Sequence, residues 1–125
     1  MANSYTQALL FTQVSSRRYV ASVDTGAIVT LSASARQIDA VLIDNTANSH
    51  ISYLRIHDFD GTPSATLGSS SPDVILPCSA SSSADYAFDP ALVFGTGVEI
   101  AVVQEAGTAG TTAPSNAVTV TILTS

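Results

Sequence analysis

Two segments near the C-terminal end alternate between apolar and other residues, and this alternation is the strongest constraint on the fold. From Val98 to Glu105, β-branched apolar residues alternate with residues that include both glutamates, and a similar alternation runs from Ala117 to Leu123. A period of two is typical of a half-buried β-strand, which has one face on a core and one in water. Asp89-Pro90 and Gly95-Thr96-Gly97 interrupt the chain upstream and predict a corner there.

The rest of the chain also divides into short strand-like segments, and no helical period of 3.6 is sustained. The further predicted strands are Gln7–Val14, Arg17–Val23, Ala27–Leu31, Arg36–Asp44, His50–Asp58, Asp73–Cys78 and Tyr86–Phe88. Short turns predict one hairpin within residues 17–31 and another within residues 36–58. Turn signals about every 8 to 12 residues predict an all-β fold, an antiparallel β-sandwich or jelly roll. We expect residues 17–125 to form this single domain and residues 1–16 to form an N-terminal arm or edge strand.

The composition is poor in charge and rich in small hydroxyl residues. Only 11% of residues are charged, with 10 acidic residues against four arginines and a net charge of −6, whereas there are 18 serines and 14 threonines. So few basic residues argue against nucleic-acid binding and against an anionic membrane surface. No apolar run approaches the roughly 18 residues of a membrane span, and no export leader is visible. An uncharged surface of this kind favours packing against copies of the chain or against a larger scaffold.

The candidate metal ligands do not form a convincing set. His50 and His57 are seven residues apart, so on one strand they would point to opposite faces and could not share a metal ion. Asp58-Phe59-Asp60-Gly61 resembles the opening of a calcium-binding loop, but its twelfth position is Ser69 instead of glutamate. We therefore predict no metal site, although a calcium ion near Asp58 and Asp60 remains open.

The candidate catalytic residues are similarly isolated. Cys78 is the single cysteine and has no nearby histidine, so a buried structural thiol is expected. Glu99 and Glu105 lie on the polar face of their predicted strand, where solvated carboxylates are the ordinary interpretation. No nucleophile elbow, phosphate loop or dinucleotide motif is present. The sequence predicts no catalytic residues, no cofactor and no enzyme activity.

The segment from Tyr53 onward carries a set of motifs that can be compared with a known family. The motifs are YLRIHD, TLGSSSPDVILPCSA, ALVFGTGVEIAV and NAVTVTIL. They resemble those of small β-sandwich proteins encoded in the structural gene clusters of tailed phages. The likeness covers about 70 residues, and it departs from the family at the corner, where Asp89-Pro90 stands in place of the usual glycine.

This resemblance implies a non-enzymatic virion protein, most closely a capsid decoration (cement) protein. Such a protein would be made in the host cytoplasm, lie on the outer capsid surface, and bind across capsomers of the major capsid protein. Repeated sites on a shell imply a homo-oligomer, a trimer or a dimer. One alternative is a tail, fibre or baseplate module that contacts a host glycan or receptor. Another is a free-standing β domain that binds carbohydrate or calcium.

Two segments are candidate assembly contacts because their apolar residues lie in stretches too short or irregular to bury them alone. The first is the N-terminal arm, with Leu9, Leu10 and Phe11. The second is the loop after His50–Asp58, with Phe59 and Leu67. Loops longer than about 12 residues without secondary structure often make functional contacts.

Overall fold

The computed structural model describes residues 17–24, 27–58 and 65–125, which form eight β-strands and, within these ranges, no helix. The strands are β1 (Arg17–Val23), β2 (Val29–Ser32), β3 (Arg36–Asp44), β4 (Ser52–Asp58), β5 (Val74–Cys78), β6 (Ser83–Phe94), β7 (Val98–Val103) and β8 (Val118–Thr124). Sheet A has the order β1-β8-β3-β6, and sheet B has the order β2-β7-β4-β5. Every pairing in the two sheets is antiparallel.

The strand pairs are nested in the chain, which identifies the topology. β4 pairs with β5, β3 with β6, β2 with β7 and β1 with β8, as if one long hairpin had been folded double. Additional pairings of β3 with β8 and of β4 with β7 join these ribbons into two sheets. Eight strands wrapped in this way form a jelly roll. The predicted fold class, an antiparallel β-sandwich or jelly roll, is confirmed.

A single large apolar core lies between the sheets. It is built from the residues of each strand that point toward the opposite sheet, and most of them are β-branched, as a pleated core surface favours. Its buried members are Val23, Ile38, Val41, Ile43, Leu54, Ile56, Leu76, Cys78, Phe94, Val98, Ile100, Val102, Val118, Val120 and Ile122. Cys78 is 1% exposed, so its predicted burial is confirmed, and burial raises the pKa of its thiol.

Several strand boundaries match the prediction, but the predicted pairings do not. Arg17–Val23 and Arg36–Asp44 are strands with the expected limits. Neither predicted hairpin forms, because β1 and β2 lie in different sheets, as do β3 and β4. In a jelly roll these short connections cross from one sheet to the other. The brief strand expected at Tyr86–Phe88 is also wrong in extent, since β6 spans 12 residues and pairs along β3.

The predicted half-buried character of the strand near residue 98 is wrong as well. All six residues of β7 are buried, on both faces of the strand. On the outer face of sheet B, β4 and β7 lie beneath residues 65–73, called the β4–β5 loop, and residues 104–117, called the β7–β8 loop. The two loops contact each other at Gly68 and Thr111. The approach is so close that a Cβ added to Gly68 would lie 2.8 Å from Thr111 Cγ2.

Candidate functional site

Three ionisable side chains lie side by side on the loop-covered outer face of sheet B. Arg55 and His57 come from β4, and Glu99 comes from β7, directly opposite His57 in the strand register. Their exposed fractions are 0%, 2% and 0%, respectively. The expectation of a solvated carboxylate at Glu99 is therefore wrong, because the β4–β5 loop covers that position. Buried charges are rare unless they are paired or hydrogen-bonded, so each group needs partners.

Arg55 organises the β7–β8 loop through its guanidinium group. Nη1 donates to the carbonyl oxygens of Thr108 and Gly110 at 3.0 and 3.1 Å, and Nη2 donates to those of Glu105, at 3.0 Å, and Gly107. Burial lowers the pKa of Arg55, and the nearby Glu105 opposes that shift. The fork of donors in a guanidinium suits this arrangement, because one side chain satisfies four carbonyls of a loop that lacks regular pairing.

Glu99 and His57 connect the same face to the β4–β5 loop and to β2. Glu99 accepts hydrogen bonds from Ala65 N at 3.0 Å and from Thr30 Oγ1 at 3.3 Å. Burial lowers the pKa of His57, although Asp73 and Glu99 favour its charged form. His57 Nε2 has no hydrogen-bond partner among the described residues. These three buried groups therefore hold the covering loops in place and are themselves shielded from water.

Asp58 at the end of β4 anchors the corner between β6 and β7. Its Oδ1 accepts from Thr96 N, Thr96 Oγ1 and Gly97 N at 3.1, 2.8 and 3.2 Å, and its Oδ2 accepts from Gly95 N at 3.1 Å. Both oxygens are thus engaged by protein donors. Asp60, the other carboxylate of the calcium hypothesis, lies outside the described residues. Within the described part of the chain, no group of three or more His, Cys, Asp or Glu residues could hold a metal ion.

A network of buried amides closes the opposite end of the sandwich. Asn45 is 0% exposed, and its Nδ2 donates to the carbonyls of His50, Cys78 and Ser79 at 2.9, 3.3 and 3.1 Å. Asn48, also buried, donates to Asn45 Oδ1 at 2.9 Å. The network fixes the connections that follow β3 and β5. His50 belongs to the first of these connections and not to β4, so the two histidines are not on one strand.

No described loop covers the outer face of sheet A in this way. Val20 and Leu42 point outward on β1 and β3 and are 55% and 37% exposed. Beside them, Ala40 and Leu123 form a second small apolar cluster on the same face. The same face also has a shallow depression of about 180 Å³, lined not by Val20 but by Ala40, Val41, Leu42, Asp85, Tyr86, Ala87 and Leu123. In the described part of the chain, this sheet face is accessible to a partner across its central strands, whereas on sheet B the exposed large apolar residue is Ile75, on the edge strand β5.

The predicted assembly contacts fall mostly where the structure gives no description. Leu9, Leu10, Phe11 and Phe59 lie outside the described residues. Leu67 is half-buried in a turn, in which Ser69 and Ser70 donate backbone hydrogen bonds to Thr66 O. The contact role of these five residues stays a prediction.

Sequence reasoning missed the open face of sheet A. The sequence feature that could have shown it is an apolar residue at an outward position of each strand, Val20 on β1 and Leu42 on β3. Those positions could be recognised as outward only after the strand register was known. Comparison with models of protein families and with curated proteins finds no match for this chain. Among the described residues, no helix has the length and apolar character needed to cross a membrane.

Proposed function

We propose that this protein is a non-enzymatic structural protein of a phage virion, a capsid decoration protein that binds across capsomers and stabilises the head. The observation that carries the proposal is the difference between the two sheet faces. Over β4 and β7, the outer face of sheet B lies under loops that are fixed by buried polar groups, whereas the outer face of sheet A presents Val20, Leu42 and an apolar depression to solvent. Contiguous exposed apolar surface is typical of protein–protein contact sites.

The partner of this face is the major capsid protein on the outside of the shell. A low-charge, hydroxyl-rich surface around an apolar patch suits a protein partner better than nucleic acid, which requires clustered basic residues. The motif resemblance from Tyr53 onward supports the same class of protein. Jelly rolls occur in many viral capsid domains, but the fold also serves other functions, so it supports the proposal only by analogy.

The mechanism is binding that is selective for the assembled shell. A ligand that binds the folded assembly and not its separated parts stabilises the assembly by RT ln(1 + [L]/Kd). A decoration protein that bridges neighbouring capsomers would therefore raise the temperature at which the head disrupts. The stabilisation grows with the number of occupied sites on the shell.

The test is co-sedimentation with capsids of the cognate phage that were assembled without this protein, followed by a heat challenge. Saturable binding and a higher disruption temperature are expected. Leu42→Glu should abolish binding, because it places a charge on the open face of sheet A. Ile75→Glu is the matched control, because Ile75 is equally exposed, at 38% against 37%, but lies on sheet B. Sedimentation with purified tails instead of capsids would contradict the proposal and favour the tail or fibre alternative.

A further inference from the structure

Among the described strands, each sheet has two edge strands, and three of these four edges are protected against further pairing. β2 has only four residues and its register shifts between Thr30 and Ser32. β5 carries Pro77, which has no backbone N–H to donate. β6 carries Asp89 and Pro90 in the middle of the strand. Short strands, bulges, charges and prolines are the features by which proteins prevent edge-to-edge pairing.

The fourth edge, β1, has no proline and no bulge, and its two charged residues, Arg17 and Arg18, are confined to its first end. It has seven residues, RRYVASV, with no proline or glycine, and its pairing with β8 runs without a register shift from Arg17 to Val23. In an antiparallel ladder, alternate residues of an edge strand direct their N–H and C=O groups away from the sheet. At the centre of the strand, Val20 is 55% exposed. β1 is therefore a regular strand edge with an exposed apolar residue at its midpoint.

We propose that β1 is the interface between two copies of this chain, paired antiparallel about a two-fold axis that passes through Val20. In this register Val20 lies opposite Val20 of the second copy, Tyr19 opposite Ala21, and Arg18 opposite Ser22. The two A sheets join into one sheet of eight strands. Such an isologous interface closes on itself and gives a dimer rather than an open chain of subunits.

The charges of β1 fit this register. On the outer face, Arg18 lies diagonal to Asp24 of the second copy, which follows the end of β1 and is exposed. Diagonal neighbours in antiparallel strands are within reach of long side chains, and opposite charges there are favourable. The two copies of Arg18 are four residues apart along the ladder, about 14 Å, which exceeds the screening length of about 8 Å at physiological salt. Attraction therefore outweighs repulsion at this interface.

The dimer also extends the surface that the proposed function uses. In each copy Val20 lies opposite Thr121 of β8, which lies opposite Leu42 of β3. Pairing through Val20 places the two open faces side by side, on one side of a continuous sheet. The inference thus rests on the self-association part of the proposed function and specifies where that association occurs.

Disulfide trapping tests the register directly. In Val20→Cys, the new cysteines of the two copies face each other at about 4.5 to 5.5 Å between Cα atoms, within the range of a disulfide. Mild oxidation should therefore convert this full-length variant to a covalent dimer of twice the 12.8 kDa chain mass. Ser22→Cys is the matched control, because it lies on the same face of β1 but about 14 Å from its symmetry mate, and it should stay monomeric on a denaturing gel. The buried Cys78 of the parent protein should not cross-link.

Solution mass of the unoxidised protein is the second measurement. The parent chain should sediment as a dimer, and Val20→Lys should sediment as a monomer, because a lysine on an edge strand opposes pairing. Val93→Lys, at a position that is 72% exposed on the protected edge β6, should remain dimeric. A monomeric parent chain, a trimer, or equal cross-linking of the two cysteine variants would overturn the inference.

The two proposals fail separately. Loss of cross-linking with retained capsid binding would remove the β1 interface and leave the decoration role standing. Specific cross-linking at Val20 without capsid binding would leave the interface standing and remove the decoration role. Pairing of residues 1–16 with β1 of the same copy would block the edge. In that case the parent chain would be monomeric and neither cysteine variant would cross-link, which also overturns the inference.

Discussion

Thr96 donates two hydrogen bonds to a single oxygen of Asp58, from its backbone N–H at 3.1 Å and from its hydroxyl group at 2.8 Å. Gly95 and Gly97 add their own N–H groups to the same carboxylate. The end of β4 in sheet B is thereby tied to the corner where the chain leaves β6 in sheet A and enters β7 in sheet B. A carboxylate that accepts several N–H groups is a strong local anchor, because hydrogen bonds to charged groups exceed neutral ones in strength.

Replacing Asp58 with asparagine should lower the free energy of unfolding by about 2 kcal/mol, because one acceptor oxygen becomes an NH₂ group that faces N–H donors. The measurement is urea unfolding at neutral pH. Asp85→Asn, which removes an exposed carboxylate from β6, should change the unfolding free energy little. Equal effects of the two substitutions would show that the corner does not depend on this carboxylate.

The hydrogen bonds to Asp58 also predict that the protein loses stability in acid. Burial opposes ionisation of Asp58, but the hydrogen bonds from Thr96, Gly95 and Gly97 outweigh it and lower the pKa of Asp58 below its usual 3.8. As the pH falls, Asp58 therefore binds a proton in the unfolded chain before it does so in the folded chain. Its contribution to the free energy of unfolding is present above pH 3.8 and is lost as the pH falls below that value. A stability profile of Asp58→Asn should lack this part of the decline.

His57 predicts a second and separate pH dependence. Burial lowers its pKa from the usual 6.5, so the unfolded state takes up a proton first as the pH falls. Stability should therefore decrease as the pH falls through 6.5, and His57→Gln should remove this part of the decrease. Asp44→Asn is the control, because hydrogen bonds from Thr46 lower the pKa of Asp44 and confine its titration to more acidic solution. A profile that is equally steep in His57→Gln would contradict the assignment.

The sequence predicted local features of this fold far better than distant ones. Turn signals after short strand-like segments located β1 and β3 at their observed limits, because such signals depend on a few neighbouring residues. The pairing of β1 with β8 joins residues about 100 positions apart, and nothing in either strand specifies that partner. Adjacent strands were expected to form hairpins because short connections usually join neighbours, but here those connections cross between sheets.

The candidate site was missed for a related reason. Alternation shows which residues share a face of a strand, but not what covers that face. Glu99 was on the correct side of β7 and was still misjudged, because its cover comes from a loop 34 residues earlier in the chain, where Ala65 N meets its carboxylate. Val20 and Leu42 could not be recognised as one surface until β8 was known to lie between them.

The hydrogen bonds of Arg55 predict that this one buried side chain keeps the β7–β8 loop ordered. Arg55→Met keeps the length of the side chain but removes the donors to four carbonyl groups, so the loss in unfolding free energy should exceed about 3 kcal/mol. Gln37→Met, which introduces the same side chain at an exposed position of β3, is the control and should cost less than about 0.5 kcal/mol.

Hydrogen exchange distinguishes a loosened loop from general destabilisation and also covers the case in which Arg55→Met unfolds. Arg55→Lys keeps the charge but offers fewer directed donors, so the protein should fold with a less ordered loop. The amide groups of Gly110 and Thr112, which bond to Gly107 O and to the Glu105 carboxylate, should then exchange faster. The amides of β8 should keep their protection. Unchanged exchange at Gly110 and Thr112 would show that the loop is held by other contacts.

At the other end of the sandwich, replacing Asn45 with aspartate should lower the stability strongly, although the two side chains have nearly the same shape. Its NH₂ group faces the carbonyl oxygens of His50, Cys78 and Ser79, while its Oδ1 accepts from Asn48 Nδ2 and Ser52 Oγ. Asn45→Asp would point a buried carboxylate oxygen at three carbonyl oxygens, so it should cost at least about 3 kcal/mol at neutral pH. Asn116→Asp is the control, because its Nδ2 makes one exposed bond, to Ala47 O. Thermal unfolding of both variants measures the difference, and a similar small shift in each would mean that the amide network is not essential to the fold.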